Sequence, residues 1–144
     1  MKNMEAKKVM YGTFGSMWID GDEIAEVEEL KATLSADKVE IKMVGHMSKG
    51  YKVTGYTGKG SFKVHKVSSY FIKKLAPSIK AGKQVEFTIT SKVSDPDAVG
   101  TERVALKHVM IDSVDLVNWS VGKVGEESYN FTFEDYDMLD SADA

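Results

Sequence analysis

The chain has 144 residues, a length that favours one domain spanning residues 1–144. It contains no cysteine, which excludes disulfide and thiolate chemistry, and two prolines, too few for a disordered linker protein. Its apolar runs are shorter than a membrane span, and its basic N-terminal residues precede no apolar segment. We therefore expect neither a membrane anchor nor a secretion signal.

The formal net charge of −3 conceals an uneven distribution along the chain. Residues 42–92 contain eleven lysines and one acid, Glu86, whereas residues 126–144 contain seven acids and no lysine or arginine. In a monomer these would be two solvated patches of opposite sign. In a self-associating protein, the basic middle and the acidic C-terminal segment 126–144 would be complementary surfaces of neighbouring copies.

The first predicted elements are β-strands. Asp20-Gly21-Asp22 predicts a tight hairpin turn, because Asp-Gly tolerates the positive φ that both central residues require. A long return strand follows, in which apolar residues alternate from Leu30 to Leu34. The alternation then moves by one residue, to the set that begins with Val39, and this shift predicts a bulge or a turn near residues 36–38.

Residues 45–60 are rich in glycine, with five glycines, three lysines and two tyrosines. This composition predicts an extended loop that orders on a partner, with the glycines permitting a mobile excursion. The segment does not fit a phosphate-binding loop, because Gly58-Lys59 is followed by Gly60 rather than Ser or Thr and the position of the first glycine holds Val53.

One helix is predicted after residue 68, from the helical spacing of Phe71, Ile72, Leu75 and Ile79. Pro77 predicts that this helix ends near Ala76 or kinks there. Alternating strands follow at 85–89, at 104–111 with a bulge at Lys107-His108, and in the row of Tyr129, Phe131 and Phe133. Together the elements predict a mainly β fold, an antiparallel barrel or sandwich with one flanking α-helix.

Nothing in the pattern indicates catalysis. His108, Asp112 and Ser113 lie on one predicted strand, where His108 and Asp112 would be roughly 13 Å apart at about 3.3 Å per residue, beyond hydrogen-bond reach. His46, His65 and His108 lack metal-ligand spacing. We therefore expect no catalytic, metal or cofactor site, and no enzyme.

A single-stranded nucleic-acid-binding β-barrel is the alternative that the basic middle supports. Lysines there alternate with aromatic residues that could stack on bases, in the order Lys49, Tyr51, Lys52, Tyr56, Lys59, Phe62, Lys63 and Lys66. Against this, the chain has a single arginine, Arg103, and single-strand binders often use arginine both to stack and to pair.

Four stretches resemble the tail-tube, or core tail, proteins of PBSX-like contractile phages and phage-tail-like bacteriocins, and together they span nearly the whole chain. They are "GSMWIDGDEIAEV", "MSKGYKVTGYTGKGSFKVHKVSSYF", "GTERVALKHVMIDS" at residues 100–113 and "FTFEDYDML" at residues 131–139. The combination of the two C-terminal stretches is the specific part of the resemblance.

The resemblance implies a structural protein without a cofactor. Tail-tube subunits join through their sheet edges into homohexameric rings, which stack into a tube that carries DNA without sequence-specific binding or stays empty in a bacteriocin. The implied partners are other copies of the chain and the tail sheath, tape-measure, baseplate and tail-terminator proteins. The implied location is a virion tail or tail-like particle, assembled in the cytoplasm of a bacterial host.

Two sets of contact residues are predicted for such a tube. Inter-ring or intersubunit contacts are expected from the 45–60 loop, at His46, Lys49, Tyr51, Lys52, Tyr56 and Lys59. A strongly basic channel would hold DNA, so we expect a neutral-to-acidic lumen with most of the eleven lysines facing outward or into interfaces. The hairpin from Glu23 to Met43 is the candidate lumen strand pair, with wall charges at Glu26, Glu28, Glu29 and Glu40; alternatively, these glutamates merely face solvent.

Overall fold

The computed structural model describes residues 5–142. Residues 1–4 and 143–144, which include Asp143 of the acidic segment, lie outside the described part. Two short 3-10 helices, Ala6–Lys8 and Gly12–Phe14, precede the first strand, and one α-helix, α1, covers Tyr70–Lys80. The strands are β1 (Gly15–Ile19), β2 (Asp22–Glu23), β3 (Val27–Ile41), β4 (Gly50–His65), β5 (Phe87–Val93), β6 (Glu102–Ile111), β7 (Glu126–Phe133) and β8 (Asp135–Asp140). No helix within residues 5–142 is long and apolar enough to cross a membrane.

These strands form one open antiparallel sheet in the order β2-β1-β5-β6-β7-β4-β3, with β8 added alongside β6. β1 and β3 approach each other across the molecule, so the sheet curls around an apolar interior. α1 packs against that interior through Phe71 and Leu75. The structure confirms the predicted mainly β, antiparallel fold with one flanking helix.

Aromatic side chains from β4, β7 and α1 occupy the centre of the core. Phe62 stacks on Tyr129 with ring centroids 5.1 Å apart, and Phe71 lies 4.7 Å from Tyr129. The predicted row of Tyr129, Phe131 and Phe133 is buried along its whole length. Each such ring pair contributes about 0.5–1.5 kcal/mol beyond the burial of its surface, so this cluster fixes α1 against the sheet.

The bulge predicted in β6 is confirmed. β5 places one residue, Thr88, opposite two residues of β6, Lys107 and His108. His108 takes a positive φ of 55°, which few residues other than glycine adopt. Leu106 and Val109, on either side of the bulge, are both buried. The extra residue shifts the alternation of β6 by one position, so its apolar side chains face the core on both sides of the bulge.

The bulge also separates the part of β6 that pairs with β8 from the part that pairs with β7. Residues 103–107 pair with β8, whereas Met110 and Ile111 pair with β7. β7 and β8 are consecutive along the chain, and at their junction the Glu134 amide donates to the Lys107 carbonyl. β6 therefore joins the two halves of the sheet.

The turn at Asp20-Gly21 is confirmed, with φ values of 50° and 89°, but the predicted long return strand is not. β2 contains only Asp22–Glu23, because the chain turns directly after it: the Ile24 amide still donates to the Met17 carbonyl of β1, and the Val27 amide then donates back to the Ile24 carbonyl. The predicted hairpin from Glu23 to Met43 is therefore wrong. β3 runs through this region as one strand and pairs with β4.

The prediction that the helix ends near Ala76 is wrong, because α1 continues through Pro77 to Lys80. Proline lacks an amide donor, so Pro77 leaves the carbonyl four residues earlier without its helical partner. The last turn is nevertheless closed by hydrogen bonds that do not need that donor. The Ala81 amide donates to the Pro77 carbonyl at 3.0 Å, and Gly82 ends the helix at a φ of 70°.

The predicted loop 45–60 is also wrong over most of its length, because residues 50–60 belong to β4. Two of its glycines, Gly58 and Gly60, have a packing role, whereas Gly45 in the turn takes a positive φ of 77°. A Cβ atom on Gly58 would lie 2.6 Å from the Phe133 ring, and one on Gly60 would lie 2.4 Å from the Phe131 ring. The rings lie directly on the strand backbone, and only glycine leaves room for them.

The close contact at Gly60 predicts a specific loss of stability. Gly60→Ala places a methyl group against both Phe131 and the Lys31 carbonyl, and overpacking of this kind costs about 1–3 kcal/mol. Gly55→Ala is the matched control on the same strand, since the nearest atom to its Cβ, Asp37 Oδ2, lies 3.9 Å away. The measurement is the free energy of unfolding in urea; equal values for the two variants would contradict the packing role of Gly60.

Candidate functional site

The β3–β4 ribbon extends beyond the rest of the sheet. β7 pairs with β4 only from Gly58 to His65, so residues 35–57 form a two-stranded hairpin without a third strand, which we call the arm. β3 contributes seven residues to the arm and β4 contributes eight, one of them the bulged Thr54, so the arm is roughly 23 Å long at about 3.3 Å per residue. Residues 35–49 are exposed without exception, so no other part of residues 5–142 covers the outer arm.

Five of the six predicted contact residues lie on the arm. His46 and Lys49 lie in its turn, where Lys49 Nζ is 3.6 Å from Glu40, and Tyr51 lies beneath the ammonium group of Lys38. The other two are Lys52 and Tyr56, and the Tyr56 hydroxyl donates to the Glu134 carbonyl at 2.9 Å, fixing the base of the arm. Lys59 lies below the arm in β4, opposite Thr132 of β7.

The apolar residues of the arm were not among the predicted contacts. Val44 and Met47 are fully exposed in the turn, and Val39, Ile41 and Val53 are each about half exposed along the strands. A two-stranded ribbon is at best marginally stable in water unless a further surface packs on it. Its composition therefore suits an arm that is covered by another molecule.

The predicted shift of the apolar phase has a structural basis within the arm. Asp37 pairs with Gly55 and Lys38 pairs with Val53, which leaves Thr54 as an extra residue on β4. Before this bulge, Tyr56 within the arm and Leu34 just below it lie on the side of the ribbon that faces the core. Beyond it, Val39 and Ile41 lie on the opposite side. The arm thus presents apolar side chains in two directions, to two different surfaces.

Up to the Asp37–Gly55 pair, before the bulge at Thr54, the side of β3, β4 and β7 that faces away from the core is polar, and we call this part the polar face. Its neutral members are hydroxyl and amide side chains: Thr33, Ser35, Thr57, Ser61, Ser128, Asn130 and Thr132. Four carboxylates lie among three ammonium groups: Glu28, Glu29, Asp37 and Glu126 beside Lys31, Lys59 and Lys63.

The predicted lumen glutamates are not brought together on this face. Glu29 lies on it opposite Lys63, and Glu28, an extra residue in β3, reaches to 3.8 Å from His65 Nε2. Glu40 pairs with Tyr51 on the other side of the arm. Glu26 lies outside the strands and is half-buried. Two of the four therefore share one surface.

His108 forms an ion pair with Glu86 and not with Asp112, which the strand spacing placed beyond its reach. Its Nδ1 lies 2.7 Å from Glu86 Oε2, and Asp112 lies beyond the end of β6. The Glu86 carboxylate raises the pKa of His108 above its ordinary value, with smaller contributions from Glu134 and Asp135. The hydrogen bond from His108 in turn lowers the pKa of Glu86.

Two Glu-His-Glu groups among the described residues place their ligand atoms within 4.8 Å of one another. One contains Glu28, His65 and Glu126, and the other contains Glu86, His108 and Glu134. Each could offer one imidazole nitrogen and two carboxylate oxygens to a divalent cation. All six side chains are exposed, and in each group the histidine already pairs with a glutamate.

Part of the acidic C-terminal segment is neutralised within the chain. Glu126 lies 3.5 Å from Lys63, and Asp137 lies 2.6 Å from Lys107. Glu127 is buried, where it accepts a hydrogen bond from the Tyr129 hydroxyl and lies 3.1 Å from the Lys66 ammonium group. The pairs of Glu126 with Lys63 and of Glu127 with Lys66 show that the basic middle and the acidic segment meet inside one subunit.

Residues 112–125 form a second exposed apolar surface, which we call the Trp loop. The loop has no regular secondary structure, and its large apolar side chains are 65–91% exposed: Leu116, Val117, Trp119, Val121 and Val124. Beside it, a groove of about 750 Å³ is lined by Ile72, Ala76 and Ile79 of α1 and by Val114 and Leu116. The sequence analysis missed this surface, although five large apolar residues in an aperiodic segment were a usable signal.

The exposed arm, the polar face and the Trp loop describe a subunit that assembles with other molecules rather than one with an enclosed site. The chain matches the family described as phage tail tube protein over residues 2–140, and it belongs to that family. It is thus a structural component of a phage tail or tail-like particle.

The relatives are consistent with this assignment. The phage-like element PBSX protein XkdM of Bacillus subtilis (strain 168) is 32% identical over 137 residues, which cover 94% of this chain and 93% of that protein. A chain of the sheath–tube complex of an extracellular contractile injection system, PVC, superposes with a TM-score of 0.69 at 10% identity, covering 93% of both chains. A chain of the anti-feeding prophage cap also gives 0.69, at 6% identity and 97% coverage of both chains. At these identities the two structures show a shared fold.

The Glu86–His108 pair predicts a pH-dependent stability. The raised pKa of His108 contributes stability that is fully present below about pH 6.5 and is lost as the pH rises through the folded-state value. The lowered pKa of Glu86 contributes above about pH 4.5 and is lost as the pH falls through its folded-state value. His108→Asn, which tolerates the positive φ, should therefore lose more stability near about pH 5.5 than near about pH 8.5.

Urea unfolding at the two pH values measures this difference. His46→Asn removes an imidazole from the exposed turn of the arm and controls for the loss of one titrating group. A stability loss in His108→Asn that is the same at both pH values would show that the ion pair does not stabilise the bulge.

Proposed function

We propose that this chain forms six-membered rings that stack into the inner tube of a contractile phage tail or tail-like particle. The observation that carries the proposal is the arm, which extends beyond its own sheet with apolar side chains on both sides and no cover within the described part of the chain. Such a ribbon gains stability only when a neighbouring copy packs on it. The contacts expected from the sequence, at His46, Lys49, Tyr51, Lys52, Tyr56 and Lys59, lie on it or at its base.

The sheet also has free edges for joining subunits. Within residues 5–142, β3 is hydrogen-bonded on one side only, by β4, and β8 on one side only, by β6. An exposed edge in a monomer invites uncontrolled pairing, whereas a head-to-tail contact that closes by rotation uses that edge in a ring. A ring made in this way has one continuous inner wall of strands.

The polar face supplies a suitable wall for that channel. Its hydroxyl and amide groups remain hydrated, and its four carboxylates slightly outnumber its three ammonium groups, so a passing DNA backbone meets no strong positive field. Glu28 and Glu29 are the wall charges in this arrangement. Glu40 instead lies on the other side of the arm, and Glu26 at the edge of the fold.

The likeness to a sheath–tube complex supports a sheath as the outer partner, and the likeness to a terminating cap supports a terminator at the tube end. Baseplate and tape-measure proteins complete the particle, which is assembled in the bacterial cytoplasm. The subunit acts by forming a rigid conduit for DNA or for puncture of an envelope, and catalyses no reaction.

The geometry gives little support to single-stranded nucleic-acid binding. Stacking requires exposed aromatic rings beside the lysines on one surface. Phe62 is buried in the core, and Tyr56 lies on the opposite side of β4 from Lys59 and Lys63. The lysines of the polar face are instead surrounded by small hydroxyl and amide side chains.

Removing the arm should abolish assembly without unfolding the subunit. Ala36 and Tyr56 pair directly, so Asn-Gly can replace residues 37–55 as a two-residue hairpin turn and keep the Tyr56 hydrogen bond to Glu134. We expect hollow rods in negative-stain micrographs of the concentrated full chain and none from the shortened chain.

A cooperative urea transition in the shortened chain provides the folding control. Rods from the shortened chain would show that the arm is dispensable. Salt-dependent oligonucleotide binding by the full chain, with no polymers at any concentration, would instead favour the nucleic-acid-binding function.

The position of the polar face can be tested by labelling, because the chain has no native cysteine. Asn130 is exposed on this face, opposite Ser61. In assembled tubes, Asn130→Cys should react with a small maleimide but not with a maleimide on a long polyethylene glycol chain, which a narrow channel excludes. The unassembled subunit, the matched control, should react with both. Reaction with both in tubes would place the face outside, and reaction with neither would place it in an interface.

A further inference from the structure

Glu86, His108 and Glu134 meet at the bulge of β6, although they are far apart in the sequence. Their ligand atoms, one imidazole nitrogen and two carboxylate oxygens, all lie within 4.8 Å of one another. In a tetrahedral zinc site with bonds of about 2.1 Å, neighbouring ligand atoms are roughly 3.4 Å apart. All three side chains are exposed, so they can rotate to that spacing and leave a coordination position open to water.

We propose that these three side chains bind one divalent transition-metal cation of the zinc type, with water completing the coordination. The imidazole disfavours Mg²⁺ and Ca²⁺, which take oxygen ligands, whereas zinc accepts imidazole and carboxylate together. This site does not depend on tube formation. Spacing along the chain gave no indication of it, because its ligands come from three separate segments.

The backbone holds each ligand residue in place without help from the cation. Glu86 directly precedes β5, which pairs with β6 on both sides of the bulge, and His108 belongs to the bulge itself. The Glu134 amide donates to the Lys107 carbonyl at 3.2 Å. The Gln84 amide group donates to Glu86 Oε1 at 3.3 Å and leaves Oε2 directed at His108. Binding therefore orders side chains but little backbone.

The charges around the three ligands favour a cation. The Glu134 carboxylate forms no ion pair within residues 5–142. Asp135 adds a third carboxylate that acts on His108. The neighbouring ammonium group, that of Lys107, is paired with Asp137 at 2.6 Å. One imidazole thus lies among three negative charges, and a divalent cation would neutralise most of them.

The second Glu-His-Glu group has the same ligand types but already contains a cation. There, the Lys63 ammonium group lies 3.5 Å from Glu126, and His65 lies 3.8 Å from Glu28. A metal ion would have to compete with Lys63 for Glu126, whereas Glu134 has no such partner. We therefore expect the cation to prefer the group at the bulge, and the second group supplies matched controls.

Calorimetric titration of the untagged full chain with Zn²⁺ tests the site, at about pH 8 because a protonated imidazole cannot bind metal. We expect one ion per chain and no competition from excess Mg²⁺. Glu134→Gln and His108→Asn each remove one ligand and should weaken the affinity at least about tenfold. Glu126→Gln and His65→Asn, the matched changes in the second group, should leave it unchanged.

A cooperative urea transition in metal-free buffer shows that each variant is folded. Glu134→Gln decides the outcome even if His108→Asn fails to fold, because the Glu134 carboxylate forms no ion pair that the change would break. Three results would overturn the site: no binding of Zn²⁺, binding that Glu134→Gln leaves unchanged, or binding that the matched changes in the second group weaken equally.

Discussion

A two-stranded β-ribbon has two faces and no interior, and this constraint determines how the subunit behaves. β7 stops pairing with β4 at Gly58, and beyond that point β3 and β4 have only each other. Their backbone hydrogen bonds are made, but their side chains gain little burial. The hydrophobic contribution that usually offsets the ordering of a chain is missing from this part of the subunit, and in the proposed tube a neighbouring copy supplies it.

The rest of the fold anchors that ribbon. Phe131 and Phe133 lie on Gly60 and Gly58, so the base of the arm is fixed by ring-to-backbone contact where a side chain on β4 would have separated the strands. The bulge at Lys107-His108 brings β7 and β8 to successive parts of β6, which places Glu134 where its carbonyl receives the Tyr56 hydroxyl. The arm is thus held at its root by the core while its outer half remains open to a partner.

The sequence predicted the elements whose residues alternate between core and solvent. The row from Tyr129 to Phe133 and the bulge in β6 were predicted from such alternation. When one face of a strand is buried, every second residue of that strand is apolar. The strand at residues 50–57 shows no such alternation, because neither of its faces is buried within the subunit. Its glycines therefore suggested a loop. The helix end was misjudged because the last turn closes through the amides of Ala81 and Gly82, which do not depend on the donor that Pro77 lacks. The apolar residues of the Trp loop follow neither a helical nor a strand period, so no structure could be predicted for them from the sequence. Only the structure shows that they lie beside the groove of α1.

In the proposed tube, the uncovered arm has a consequence for the timing of ring assembly. The first two subunits that meet must order side chains on both arms while gaining only part of the contacts that a complete ring provides. The entropy lost at that step is repaid only when later copies close the ring and cover the remaining faces. Addition of a subunit to an existing tube end is faster than nucleation of a new tube, because the surface at that end is already ordered. At concentrations too low for nucleation, growth of the proposed tube is in this way confined to existing ends, and free subunits accumulate without forming tubes.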